Sequence, residues 1–363
     1  MGKKLKMKKI IPTYMQREIT TYLNYSMPLC TFLKPDKNQW LLEHFTNIYL
    51  MMGTDGYVWV DYLEDLLFPH NVIDYIMIEA GEMEKIVDME PYLLNLVDEN
   101  FCLMFFIDEF DVGGTAYYRK SHRITQILVY GYDQEKREIY VVGFDKTRKF
   151  TELVYDYQDV LSSYNKCLRN RKGRPFWEDK YNVILLRDKD PEMVYKADPN
   201  VVYDQIKKFF YSEGSVEDLR PEIRIERGEI AYYGMRAQEE LINNFQKLYE
   251  GGFVLDFRYI YLLAEHKKEM LKKIKFILEI NIDPRGRSIY EEYEKIYKDY
   301  IIIKNVFLKN VLKDNGFGNI YGQLKDKKTI AKLYDRLLLL HSKEEVVLEE
   351  FISAVSVLEL NAK

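Results

Sequence analysis

The chain has 363 residues, of which 47% are hydrophobic and 31% charged, and its formal net charge is −5. That length exceeds one ordinary compact domain and suits two, and the apolar fraction suffices for a core, which excludes a disordered class. The acidic balance does not favour a nucleic-acid partner, and no run approaches the ~18 apolar residues that span a bilayer.

The first residues, MGKKLKMKKIIPTY, are basic and read as a solvated tail, without the apolar core or cleavage site of a secretory leader. Asp36–Met52 starts on an acid after Pro35 and places Trp40, Leu41, Phe45, Ile48 and Tyr49 at helical spacing, which predicts a helix ending at Gly53. Residues 57–68 and 82–97 predict further helix, with 57–60 able to begin as strand. Asn100–Asp111 opens as a continuous apolar run, the pattern of a strand covered on both faces. Strands at 123–131 and 138–145 flank a turn at Asp133–Lys136 and predict a hairpin. A helix over 156–169 and a strand over 181–187 close the first half.

Past Asp198 helical patterns take over, at 200–212, 235–250, 257–281, 288–313 and 327–360, the last with one or more breaks. Gly251-Gly252, Asp283–Gly286 and Asn315–Gly318 punctuate them. One alternating fragment, 222–233, reads as a short hairpin arm. The organisation predicted is therefore an α+β domain over 1–195 followed by an all-helical domain over 196–363.

The residues with chemistry lie in the first half. His122 heads a strand whose Ile124, Gln126, Leu128 and Tyr130 alternate, so the strand has defined faces. A hairpin closed at Asp133–Lys136 returns Asp145 almost directly across from His122. A carboxylate bonded there would set the imidazole tautomer and leave the other nitrogen toward a nucleophile. Three cysteines can supply that nucleophile. Cys102 sits in an apolar strand as a core residue, and Cys167 comes late, beyond the hairpin. Cys30 falls just before the first predicted helix, where a helix N-terminus would favour a thiolate, although Pro35 moves that helix start five residues on. Asn24, six residues before Cys30, is an oxyanion-donor candidate and equally a turn residue. Widely spaced cysteines argue for a cytoplasmic thiol protein over a disulfide framework.

Other signatures are missing. The chain has no GxxxxGK[ST] phosphate loop, no HExxH and no paired CxxC, so neither a nucleotide cofactor nor a metal is expected. Asp108, Glu109 and Asp111 read as a solvated loop at a strand end. Lys267, Lys268, Lys272, Lys273 and Lys275 form the densest basic stretch and read as a solvated face, with an acidic partner as the other reading.

Phe101–Asp145, with its apolar strand ending in Asp-Glu, the aromatic loop at Tyr117 and Tyr118, His122, the LVYGYD segment and the closing Asp145, resembles the N-terminal domain of the butirosin biosynthesis protein H family. The resemblance covers roughly residues 20–190. It implies a papain-like cysteine-protease-type fold with an antiparallel sheet, used for acyl transfer. An acyl group passes from the phosphopantetheine thioester of an acyl or peptidyl carrier protein to an amine, forming an amide. Related cysteine-protease homologues serve antibiotic assembly, including polythioamide pathways of the closthioamide type. The family's nucleophile, base and orienting carboxylate map onto Cys30, His122 and Asp145. What this implies is a ping-pong acyltransferase with a small-molecule amine acceptor and no bound cofactor. A peptidase or amidase on the same triad, and a binding protein of the same fold without turnover, are the alternatives.

Overall fold

The computed structural model describes residues 7–52, 58–64, 72–170, 182–215, 230–250, 255–256, 258–280, 283–315, 321–322 and 326–355. They fall into two units, Met1–Lys37 with Leu66–Val194, and Asn38–Asp65 with Tyr195–Lys363. The second unit therefore also takes a segment that the sequence reading assigns to the first domain.

The first unit is built on an antiparallel sheet. Its strands are β1 (Lys8–Ile10), β4 (Ile73–Ile78), β5 (Cys102–Asp108), β6 (Ile124–Asp133), β7 (Glu138–Phe144), β8 (Phe150–Asp156) and β9 (Val183–Asp188), in the order β4-β9-β5-β6-β7-β8. β5 pairs with Ile124–Val129 of β6, and β1 takes over the same edge at Gly131–Asp133. Gly131 is required there, because a Cβ would sit 2.6 Å from the Lys9 carbonyl oxygen. The sheet is covered as its alternation dictates. Leu103, Phe105, Ile107, Ile127, Val129 and Val141 form one core with Leu93, Leu94 and Val97 of α3 (Met89–Asp98) and Val160 and Tyr164 of α4 (Tyr157–Arg169). α4 begins where Asp156 caps it, accepting from the backbone of Gln158 and Asp159. α1 (Leu23–Phe32) packs against β6 and β9. A short α2 (Ala80–Met83) precedes α3, so the predicted helix over 82–97 is two pieces.

In the second unit, β10 (Ile230–Tyr233), β2 (Ile48–Met52) and β3 (Val58–Tyr62) form a three-stranded antiparallel sheet. The helices are α5 (Pro199–Phe210), α6 (Gly234–Glu250), α7 (Arg258–Ile280), α8 (Gly286–Asn315) and α9 (Lys327–Val355). Their apolar stripes follow the 3.6 period: Ile289, Tyr293, Ile296, Tyr300, Ile303 and Phe307 are all buried on α8. Pro199 and the Asp198 cap start α5 where the sequence places a helix.

Two expectations are corrected. The second unit is not all-helical, since the strands just named belong to it. The helix expected over 36–52 is instead a 3-10 segment, Pro35–Glu43, followed by β2. Ile48, Tyr49, Leu50 and Met51 are buried in succession, as a strand covered on both faces requires and one helix face does not. Among the described residues no helix is long and apolar enough to cross a membrane. Part of the expected arm over 222–233 and the end of the helix over 327–360 lie outside the described residues.

Candidate active site

β5 runs apolar to its end and finishes on Asp108, which pairs with Ile124 at the start of β6. His122 lies two residues before Ile124, so strand pairing alone brings it to Asp108. His122 Nδ1 and Asp108 Oδ2 are 2.6 Å apart. An ionised carboxylate only accepts, so Nδ1 carries the proton and Nε2 presents its lone pair. The His122 side chain is 73% exposed while that of Asp108 is 9% exposed.

The carboxylate is held from every side. Asp108 Oδ1 accepts from the backbone N–H of Arg123 at 3.0 Å and of Phe110 at 3.1 Å. Ser163 of α4 donates to the Asp108 carbonyl at 3.0 Å and accepts from its N–H at 2.8 Å. The Phe110 ring packs on the imidazole with centroids 4.4 Å apart. An ordered acceptor on one ring nitrogen and a packed ring face leave the imidazole one working atom, Nε2, on a largely exposed side chain.

A second layer of charge braces the loop over 109–121. Glu109 is buried and accepts from Arg148 Nη1 at 2.8 Å, with Arg123 Nε at 3.8 Å. Burial pushes its carboxyl up and the two guanidinium groups pull it back. Asp111 accepts from Lys166 at 2.7 Å, and Thr115 donates to the Glu109 carbonyl at 2.6 Å. Asp108, Glu109 and Asp111, expected as a solvated loop, are thus buried and bonded.

Asp145 is not the orienting carboxylate. Its Oδ1 accepts from Thr147 N at 2.8 Å, Thr147 Oγ1 at 2.7 Å and Lys149 N at 2.9 Å, closing the turn between β7 and β8. Those bonds hold its carboxyl below the usual range. The reason is register. The β6–β7 turn takes Gln134–Arg137 and pairs Asp133 with Glu138, a register that carries Asp145 only to Gln126, and the shift between Val129 and Gly131 changes this by one residue. Continuing outward from Leu128↔Val142 sets Asp145 opposite Thr125, three residues from His122.

Cys30 does not meet His122 either. It lies in the last turn of α1, fully buried, with its thiol donating to the Ser26 carbonyl at 3.2 Å. Burial pushes the thiol up to about 12, Glu152 adds to the rise, and the Gln16 backbone N–H opposes it. The expected helix N-terminus is replaced by a C-terminal turn, whose dipole disfavours a thiolate. Cys102, the first residue of β5, lies close enough to Cys30 for one thiolate to oppose the other, whereas Asp108 is the last residue of that strand. A strand of this length separates its two ends by about 20 Å. Asn24 sits in the first turn of α1. Six residues of helix set it about 9 Å along the axis and about 240° around from Cys30, outside donor range. Cys102 and Cys167 are buried.

Among the described residues no group of three or more His, Cys, Asp or Glu side chains is placed to hold a metal. No protein-family model matches the chain, and no curated protein matches its sequence.

Proposed function

We propose that the chain is an amide-forming acyltransferase, taking an acyl group from a thioester on the phosphopantetheine arm of a carrier protein and passing it to a small-molecule amine, with His122 as general base. The Asp108–His122 pair carries this reading: a fixed tautomer, a packed ring and an exposed Nε2 are what proton abstraction from an attacking nucleophile needs. The amine nitrogen attacks the thioester carbonyl and Nε2 takes its proton. The C–S bond then breaks, and the departing thiolate recovers that proton from the imidazolium. The burial of Cys30 and its raised thiol favour this direct transfer over an acyl-enzyme on Cys30.

The same burial favours a second reading, a binding protein of this fold without turnover. Both are tested by incubating the parent, Cys30→Ala and His122→Ala proteins with acyl-pantetheine and carrier-bound donors and a panel of amines. Amide formation and intact mass are followed together. Amide made by the parent and Cys30→Ala but not by His122→Ala supports direct transfer. An acyl adduct on Cys30 restores the ping-pong scheme, and no product from any pair puts the binding reading first.

A further inference from the structure

Arg119 stands at the rim of the dyad in an unusual electrostatic position. Its guanidinium carbon lies 5.4 Å from the Phe110 ring and 5.2 Å from the Tyr118 ring, and its side chain is 59% exposed. Phe110 is also the ring packed on His122, so the guanidinium is within about 10 Å of the imidazole. The backbone fixes the side chain's origin: Arg119 has φ 53 and donates from its N–H to the Phe110 carbonyl at 3.1 Å. Its ion pair with Asp111 Oδ1 is long, at 3.7 Å, and that same oxygen already accepts from Lys166 Nζ at 2.7 Å. Two exposed cations therefore converge on one carboxylate oxygen. Lys120 beside them is exposed and donates to the Ala116 carbonyl. Arg123 and Arg148, by contrast, are turned to the buried Glu109.

We propose that Arg119, with Lys166 beside it, is a recognition site for an oxyanion of the acyl donor. A guanidinium held near two ring faces is pre-oriented, loses little freedom on binding, and presents a planar fork that matches phosphate or carboxylate. Its place one ring from His122 fits a group lying outside the reacting thioester rather than the carbonyl itself. Two parts of a donor carry such an oxyanion, the phosphate of the pantetheine arm and a carboxylate on the acyl group. This inference rests on the acyltransferase reading for the identity of the ligand, and its test does not require turnover.

Binding of phosphopantetheine and pantetheine to the full chain is measured by titration calorimetry, and the same is done with succinyl- and butyryl-pantetheine. The Arg119→Ala and Arg119→Lys proteins are compared with the parent. One charge-assisted contact corresponds to about 10- to 100-fold in affinity. A gain of that size in either pair that Arg119→Ala erases, and Arg119→Lys keeps in part, supports the site and assigns its source. Equal affinities within both pairs, or a gain untouched by Arg119→Ala in a protein of parental melting temperature, overturn it. His122→Ala leaves the binding gain intact, and a parent that shows this discrimination but makes no amide sinks the catalytic reading and leaves this one standing.

Discussion

Two polar clusters among the described residues are each built on a histidine, and burial separates what they do. At the end of β5, His122 is bonded to a buried carboxylate and opens its other nitrogen to solvent. In the helical unit, His266 is fully buried; its Nε2 donates to the Thr46 carbonyl at 2.6 Å, so its Nδ1 is an acceptor, 3.1 Å from Lys267 Nζ. Lys267 also pairs with Glu344 at 2.8 Å and donates to Gln238 at 2.5 Å, and Tyr293 donates to Glu344 at 2.5 Å. Every hydrogen of that ammonium is used. Burial and the neighbouring Lys267 charge keep His266 neutral, well below its ordinary value. A histidine with both nitrogens engaged in a closed network specifies how helices meet, whereas one with a single engaged nitrogen at a surface is equipped for chemistry.

The largest expected difference between the clusters is in rate. On the proposed acyl transfer, His122→Ala lowers the rate by about 10²–10⁴-fold, the range for losing a general base, and leaves the melting temperature near the parent's. Asp108→Asn lowers it comparably, because an amide can present its NH₂ to Nδ1 and favour the wrong tautomer. Steady-state kinetics beside a thermal melt checks both. In the helical unit the order reverses. Lys267→Met leaves Glu344 buried and uncompensated and costs about 3–5 kcal/mol of stability by denaturant titration. The two substitutions thus break opposite halves of the comparison.

Much of the fold is legible from pattern, and the site is not, for a definable reason. The apolar run of β5, the hairpin, α4 and the long helices each announce themselves within one segment, through periodicity, Asp156 and Asp198 as caps, and Pro199. β4 escapes such a reading because its pairing is with β9, more than a hundred residues on. The His122–Asp108 contact depends on the β5–β6 register, which sets Asp108 opposite Ile124. Asp145 falls short of His122 because the observed turn pairs Asp133 with Glu138, which carries Asp145 only as far as Thr125 or Gln126. The signal that finds Asp108 is an acid ending an apolar strand whose antiparallel neighbour begins next to a histidine. Lys267 and Lys273, read as a solvated face, are buried because helical period turns them inward, while Lys268 is half-buried and Lys275 faces out.

Lys273 sharpens the contrast inside the helical unit. Unlike Lys267, its Nζ has no hydrogen-bond partner among the described residues. Burial pulls it down from 10.5 to about 8, with Glu269 and Glu64 opposing. A lysine whose folded value is depressed penalises the folded state below that value, because the unfolded chain still binds the proton. Stability therefore rises as pH climbs from about 8 to 10.5. Lys273→Met removes this rise and stabilises the protein at pH 7 by about 3 kcal/mol, at about 1.4 kcal/mol per unit of displacement. Urea midpoints at pH 7 and pH 10 for parent and variant decide it; a parent midpoint that does not climb more than the variant's overturns the assignment.

The smallest expected effect is the most discriminating. Asp145 and Asp108 are both carboxylates near the same histidine strand, yet one shapes a turn and the other bonds the His122 ring. Asp145→Asn keeps an acceptor oxygen for Thr147 and Lys149, so the turn that delivers Arg148 to Glu109 survives. Its kcat stays within about threefold of the parent's, far below the cost of an amide in an orienting position, about 10⁴-fold in a catalytic triad. Asp145→Ala loses those bonds and lowers thermal stability somewhat, again without collapse of kcat. A kcat for Asp145→Asn as low as that of Asp108→Asn would return the orienting role to Asp145. If the two variants part as expected, the difference isolates register as the element that builds the site.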